Sequence, residues 1–133
     1  MVKKLVLATL VYSILTMILG IVWHLELFEE LYNSLGIYNR AEPIIPLGFA
    51  SMIIQGIIMA YLYPRFYRGG PSVVQGIKFG LIMGLFMFSV STLATAAKIE
   101  VASMSTWLML QISFHALQFV IVGGAIGWVY RKN

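Results

Sequence analysis

Apolar residues fall into four long blocks divided by short polar punctuation, at about 5–24, 44–63, 73–97 and 104–130. Each block reaches the ~20 residues needed to cross a bilayer as a helix. Lys78, near the start of the third block, is the one charged side chain inside any of them. Glu42-Pro43 marks a turn before the second block, and Pro64 with Gly69-Gly70-Pro71 closes it in a compact loop. Lys98-Ile99-Glu100 ends the third block. Ser72 is positioned to cap helix three, and Ser103 or Ser105 to cap helix four. The first block is too long for the apolar core of a signal peptide and lacks a small-x-small cleavage site, so it reads as a retained helix. The polar interval 26–43 is long enough to hold a short interfacial helix. Short connections make consecutive helices antiparallel neighbours. The expected fold is therefore a single all-α domain over 1–133, a transmembrane four-helix bundle of up-down topology.

Composition narrows the class further. Of 133 residues, 60% are hydrophobic and 11% charged, against ~25% charged in a soluble domain. Too little charge remains to coat a soluble surface, and too much apolar surface is present for a disordered chain. No cysteine occurs, which excludes disulfides, thiolate metal sites and thiol nucleophiles.

Charge placement gives an orientation. Lys3, Lys4, Arg65, Arg68, Lys78, Arg131 and Lys132 fall on the side shared by the termini and the second loop. Arg40, Lys98 and all five glutamates, Glu26, Glu29, Glu30, Glu42 and Glu100, fall on the other. The positive-inside rule then puts both termini in the cytoplasm, with the bilayer expected to be the plasma membrane. The net charge of +4 is a topology signal and implies no nucleic-acid partner. Trp23, Tyr32 and Trp107 form the outer aromatic belt. Tyr63, Phe66, Tyr67, Trp128 and Tyr130 form the inner one.

Three strips of small residues favour close helix contact: Gly76, Gly80 and Gly84 on helix three, followed on nearly the same face by Ser91, Ala94 and Thr95; Ala116, Gly123 and Gly127 on helix four; and Thr9, Ser13, Thr16 and Gly20 on helix one. Lipid gives no hydrophobic drive, so small side chains that admit a second backbone supply dispersion contact instead. Such strips serve packing within the chain or, if in surplus, contact with another subunit of a homo-oligomer or a larger membrane complex.

Polar groups inside the apolar blocks are the candidate site. Gln111, His115 and Gln118 share a stripe on helix four, away from its small strip. Ser51 and Gln55 share a face of helix two with Gly48 and Met59, and His24 continues the Thr16/Gly20 face of helix one. A seam of His24, Ser51, Gln55, Gln111, His115 and Gln118, joined by Ser89 and Thr92, is the natural inference, lining a pocket that opens outward. Its simplest role is hydrogen bonding between helices, at about 0.6 kcal/mol per contact. Its functional role would be to hold a small hydrophobic or amphipathic ligand.

Other chemistries find little support. His24 and His115 raise the question of a b-type haem, but lie on the order of 10 Å apart in depth at 1.5 Å per residue, unlike paired axial ligands. No cofactor is assigned. His24 stands about 160° around the wheel from Glu26, so the His24/Glu26/Glu29/Glu30 cluster reads as a solvated acidic rim and no metal is assigned. The eight methionines lack a dense Met-x-x-Met cluster and read as packing. Walker, G-x-S-x-G and dinucleotide patterns are absent, as is a pair of intramembrane carboxylates, so no catalytic residues are assigned.

Trp23-His24 before Leu27-Phe28, Tyr61-Leu62-Tyr63-Pro64 and Gly76-Ile77-Lys78-Phe79-Gly80-Leu81 together resemble small four-helix bacterial or archaeal membrane proteins of domain-of-unknown-function type. The resemblance implies the fold and carries over no functional residue. The function expected from the residues is non-enzymatic ligand binding in the membrane. The alternatives are an accessory subunit of a membrane complex, or a small-solute or ion transporter using His115.

Overall fold

A computed structural model describes residues 1–132. They form five helices: α1 (Val2–Leu27), α2 (Glu29–Leu35), α3 (Ile45–Phe66), α4 (Ser72–Ala96) and α5 (Met104–Tyr130). All but α2 are long and apolar enough to cross a membrane, which makes the chain a multi-pass membrane protein folded as an all-helical bundle. Pro46 lies in the first turn of α3, where a missing N–H costs nothing. Gly36 ends α2 in the left-handed region at φ 72°, a conformation that glycine adopts without a Cβ clash. Ser103 caps α5 by accepting from the Thr106 N–H. Ser72, expected as a cap, is instead the first residue of α4. Its hydroxyl donates across to the Gly127 carbonyl at 2.7 Å, so it links α4 to α5.

Two turns depart from α-helical geometry. Val22–Leu27 at the end of α1 and Ser89–Leu93 within α4 are π-helical, each inserting an extra residue into its turn. The first carries α1 on to Leu27, beyond the expected end near residue 24.

α5 is the spine. Over its most apolar stretch 56% of residues are buried, against 11% for α1 and 17% for α3. α1 lies between α3 and α5, and α4 packs along the other side of α5. The small strips of helices three and four face each other. A Cβ built on Gly76 or Gly80 would collide with the carbonyl oxygen of Gly123 or Phe119, and one on Gly127 with that of Ser72. Both strips are thus consumed inside the chain, while Ala116 stays exposed. In the helix-one strip Thr9 lies against Gly56 of α3, whose added Cβ would sit 3.1 Å from the Thr9 carbonyl.

The core beside this seam contains Tyr12, Met59, Tyr63, Phe79, Phe119, Val122 and Ile126, with Met83 and Met87 packed against it. At the end bearing the termini, Lys4 Nζ donates to the Arg131 carbonyl at 3.0 Å. Tyr63 donates to the Ser72 carbonyl at 2.6 Å and Tyr130 to that of Ala60 at 2.8 Å. α3 and α4 meet there through Phe79, whose ring lies 5.8 Å from Tyr63 and 5.4 Å from Phe66. Farther along, a recess of about 100 Å³ opens between them, lined by Gln55, Ile58, Met83, Phe86 and Met87. A second, smaller core of Tyr32, Leu35, Trp107 and Leu110 closes the opposite, distal end.

Candidate functional site

The distal end is assembled where α1 gives way to α2. Across the π turn, the Phe28 N–H reaches back five residues to the Trp23 carbonyl at 3.1 Å. This wide turn sets Trp23 and His24 beside α2 and α5. The His24 ring stacks at 4.5 Å from Tyr32 and meets Phe114 edge-on at 4.7 Å. Its Nδ1 lies 3.1 Å from the Gly20 carbonyl of its own helix, so the ring is held from both sides.

Tyr32 joins three helices. Its phenol donates to Gln111 Oε1 at 2.7 Å and accepts from Trp23 Nε1 at 3.1 Å. Burial pushes this phenol well above the ordinary tyrosine value, because an anion there would lose its water. The Tyr38 phenol is raised for the same reason. Both therefore stay neutral across the physiological range and keep their O–H protons. Tyr38 packs 5.6 Å from Tyr32 and 6.3 Å from Trp107. The Trp107 indole N–H is, among the described residues, the one buried side-chain polar atom without a partner.

These rings form one wall of a cleft of about 630 Å³. His24, Tyr32 and Tyr38 line it with Glu29, Asn33, Asn39 and Arg40; Leu25, Ile37, Pro43, Ile44 and Leu47 supply its apolar surface. It is the largest of the four principal cavities and has a strong mix of polar and apolar lining, as recognition of an amphiphile requires.

The structure divides the sequence-predicted residues among separate places. His24 alone lines the distal cleft. Gln111 stands behind it as the acceptor for Tyr32. His115 lies deeper, with Nε2 3.2 Å from Ser91 Oγ on α4 and Nδ1 2.7 Å from the Gln111 carbonyl. It borders an apolar pocket of about 170 Å³ between α4 and α5, with Gly84, Phe88 and Ala116. The two histidines thus face different cavities. Gln118 donates to Thr16 on α1 at 3.3 Å. Gln55 accepts from Tyr12 at 2.7 Å and donates to Ser51 at 2.8 Å, on the α1–α3 side. Each buried amide or imidazole of α5 has found a hydroxyl on a different helix, as an apolar solvent demands of polar groups.

Of the partners, Tyr12 escaped the reading of single helices, while Thr16 and Ser91 read only as members of small-residue strips and Tyr32 only as part of the aromatic belt. Ser91, which shares the Gly76/Gly80/Gly84 face at helical spacing, meets His115 in place of the expected Ser89, whose hydroxyl bonds back to the Phe86 carbonyl at 2.7 Å. Thr92 is fully buried, as its place in the seam implied. Among the described residues, no three His, Asp or Glu side chains gather closely enough to hold a metal ion.

No protein-family model matches this chain, and neither a curated protein nor a solved structure does so, so residue roles here rest on geometry alone.

Proposed function

We propose that this protein is a non-enzymatic binder of a small hydrophobic or amphipathic ligand, resident in the plasma membrane with both termini cytoplasmic. The observation that carries the reading is the distal cleft, in which His24 and Tyr38, backed by the buried Tyr32, face an apolar surface of Leu25, Ile44 and Leu47. Such a cleft at the bilayer surface takes a polar head against one wall and an apolar body against the other. The network Trp23–Tyr32–Gln111 fixes the polar wall in advance, so little ordering is left to be done on binding. His115 and Gln118 serve this site indirectly by tying α5 to α4 and α1. Native mass spectrometry of the detergent-purified chain tests the reading: a retained small-molecule mass that is lost in His24→Ala supports it, and an unliganded chain overturns it. The chain contains no cysteine, so single cysteines at Asn33 and Lys132 report topology directly. Labelling of position 33 from outside intact cells and of position 132 only after lysis is expected.

A second reading, a subunit of a larger assembly, is favoured by one feature. Ser51 is exposed and Gln55 half-buried midway along α3, where lipid offers no hydrogen bond. Copurification of a stoichiometric partner that is lost in Gln55→Leu supports that reading.

A further inference from the structure

The distal cleft holds one carboxylate and one guanidinium, and this pairing of opposite charges restricts what it accepts. Glu29 and Arg40 both line it. Glu26 and Glu30 line the adjoining surface recess with Glu29, so a purely anionic headgroup would meet one cation amid three carboxylates. A purely cationic amphiphile would confront Arg40 inside the cleft. A neutral one would leave both charges to water and gain only from the apolar wall. A headgroup carrying both signs satisfies Glu29 and Arg40 together, and the exposed ring of Tyr38 adds attraction for its ammonium. The guanidinium fork suits two phosphate oxygens.

We infer that the cleft selects a zwitterionic phospholipid, seating its ammonium on Glu29 and the Tyr38 ring, its phosphate on Arg40, and the start of its acyl chains along Leu25, Ile44 and Leu47. This deepens the ligand-binding reading and rests on it. The apolar wall is what distinguishes a lipid from a soluble phosphoester of the same headgroup. His24, packed between Tyr32 and Phe114, keeps the ring wall in place.

The test offers the full-length protein equal amounts of phosphatidylethanolamine and phosphatidylglycerol in mixed micelles and reads retained lipid by native mass spectrometry. The wild type is expected to retain phosphatidylethanolamine about fivefold over phosphatidylglycerol, near the upper end of what an exposed ion pair supplies. Glu29→Gln should erase that preference while phosphatidylglycerol is retained at least as well as before. Arg40→Gln should weaken retention of both. Both side chains are exposed, so these variants keep the fold, which an unchanged melting temperature verifies. Retention of both lipids without preference, or a preference that survives Glu29→Gln, overturns the inference and leaves the ligand-binding reading standing. Failure of the wild type to retain any amphiphile overturns the reading beneath it. Free phosphoethanolamine bound as tightly as the lipid would overturn the lipid as occupant.

Discussion

Along the seam between α4 and α5, backbone meets backbone: Gly76, Gly80, Gly123 and Gly127 leave no room for a Cβ. At the distal end the same α5 meets α1 and α2 through rings and hydroxyls, with Phe114 against His24 and Gln111 against Tyr32. The seam gains from dispersion contact over a large area, and every position in it is fixed by volume. The distal contacts are fewer, directional and set around empty space. A bundle in lipid can afford such a cleft because the tight seam elsewhere has already fixed the helix axes.

The largest effect is expected where volume is decisive. Gly80→Leu should abolish the folded protein, seen as loss of a cooperative melt and of the monodisperse peak in size-exclusion chromatography, because overpacking costs roughly 1–3 kcal/mol even for added methylenes. Gly124→Ala makes the control: its added Cβ would lie 3.4 Å from a flexible Ile77 side chain, and the melting temperature should barely move. Equal damage from both would break the comparison by showing that the seam has no special dependence on glycine.

Tyr32→Phe comes next. It strips a partner from both Trp23 and Gln111, and a buried group left unpaired costs about 1–3 kcal/mol. A melting temperature lower than the wild type, with weaker ligand retention, is expected; retention unchanged would detach the network from the site.

His115→Ala should cost less, on the order of 0.6 kcal/mol for the lost interhelical contact plus its packing, and should leave the retained ligand in place. His24→Ala should do the reverse. Loss of ligand from His115→Ala with retention by His24→Ala would move the site to the α4–α5 pocket and sharpen the comparison in the other direction.

The smallest effect concerns pH. Tyr32 is held above its ordinary value of 10.0 by burial. The folded state therefore binds a proton that the unfolded chain releases. Its contribution to stability is complete below about pH 10 and is lost as pH rises through the folded-state value. Thermal melts should be flat between about pH 7 and 9 as far as this group is concerned and fall above 10, and Tyr32→Phe should flatten the alkaline limb.

The site was legible in part. His24 was readable as a polar residue near the end of an apolar helix, and Gln111, His115 and Gln118 as a stripe at helical spacing. Their partners were not. Tyr32 reads as part of an aromatic belt, Glu29 as rim and Arg40 as a topology charge, because each lies in the polar interval between spans, where no periodicity says which way a side chain points. Ser91 falls at helical spacing on the Gly76/Gly80/Gly84 face and reads there as a packing residue, because nothing local says that His115 will stand opposite it.

Sequence alone determined the four spans, the end at which the basic residues gather and the glycines of helices three and four that demand a close neighbour, since these follow from local hydropathy, charge and side-chain volume. Tertiary structure decided which neighbour that was, which hydroxyl satisfied each buried amide and where a cleft was left open. Those outcomes depend on how whole helices rotate and lean against one another, and a single π turn or the parting of α3 from α4 resets them without leaving a mark on the local pattern.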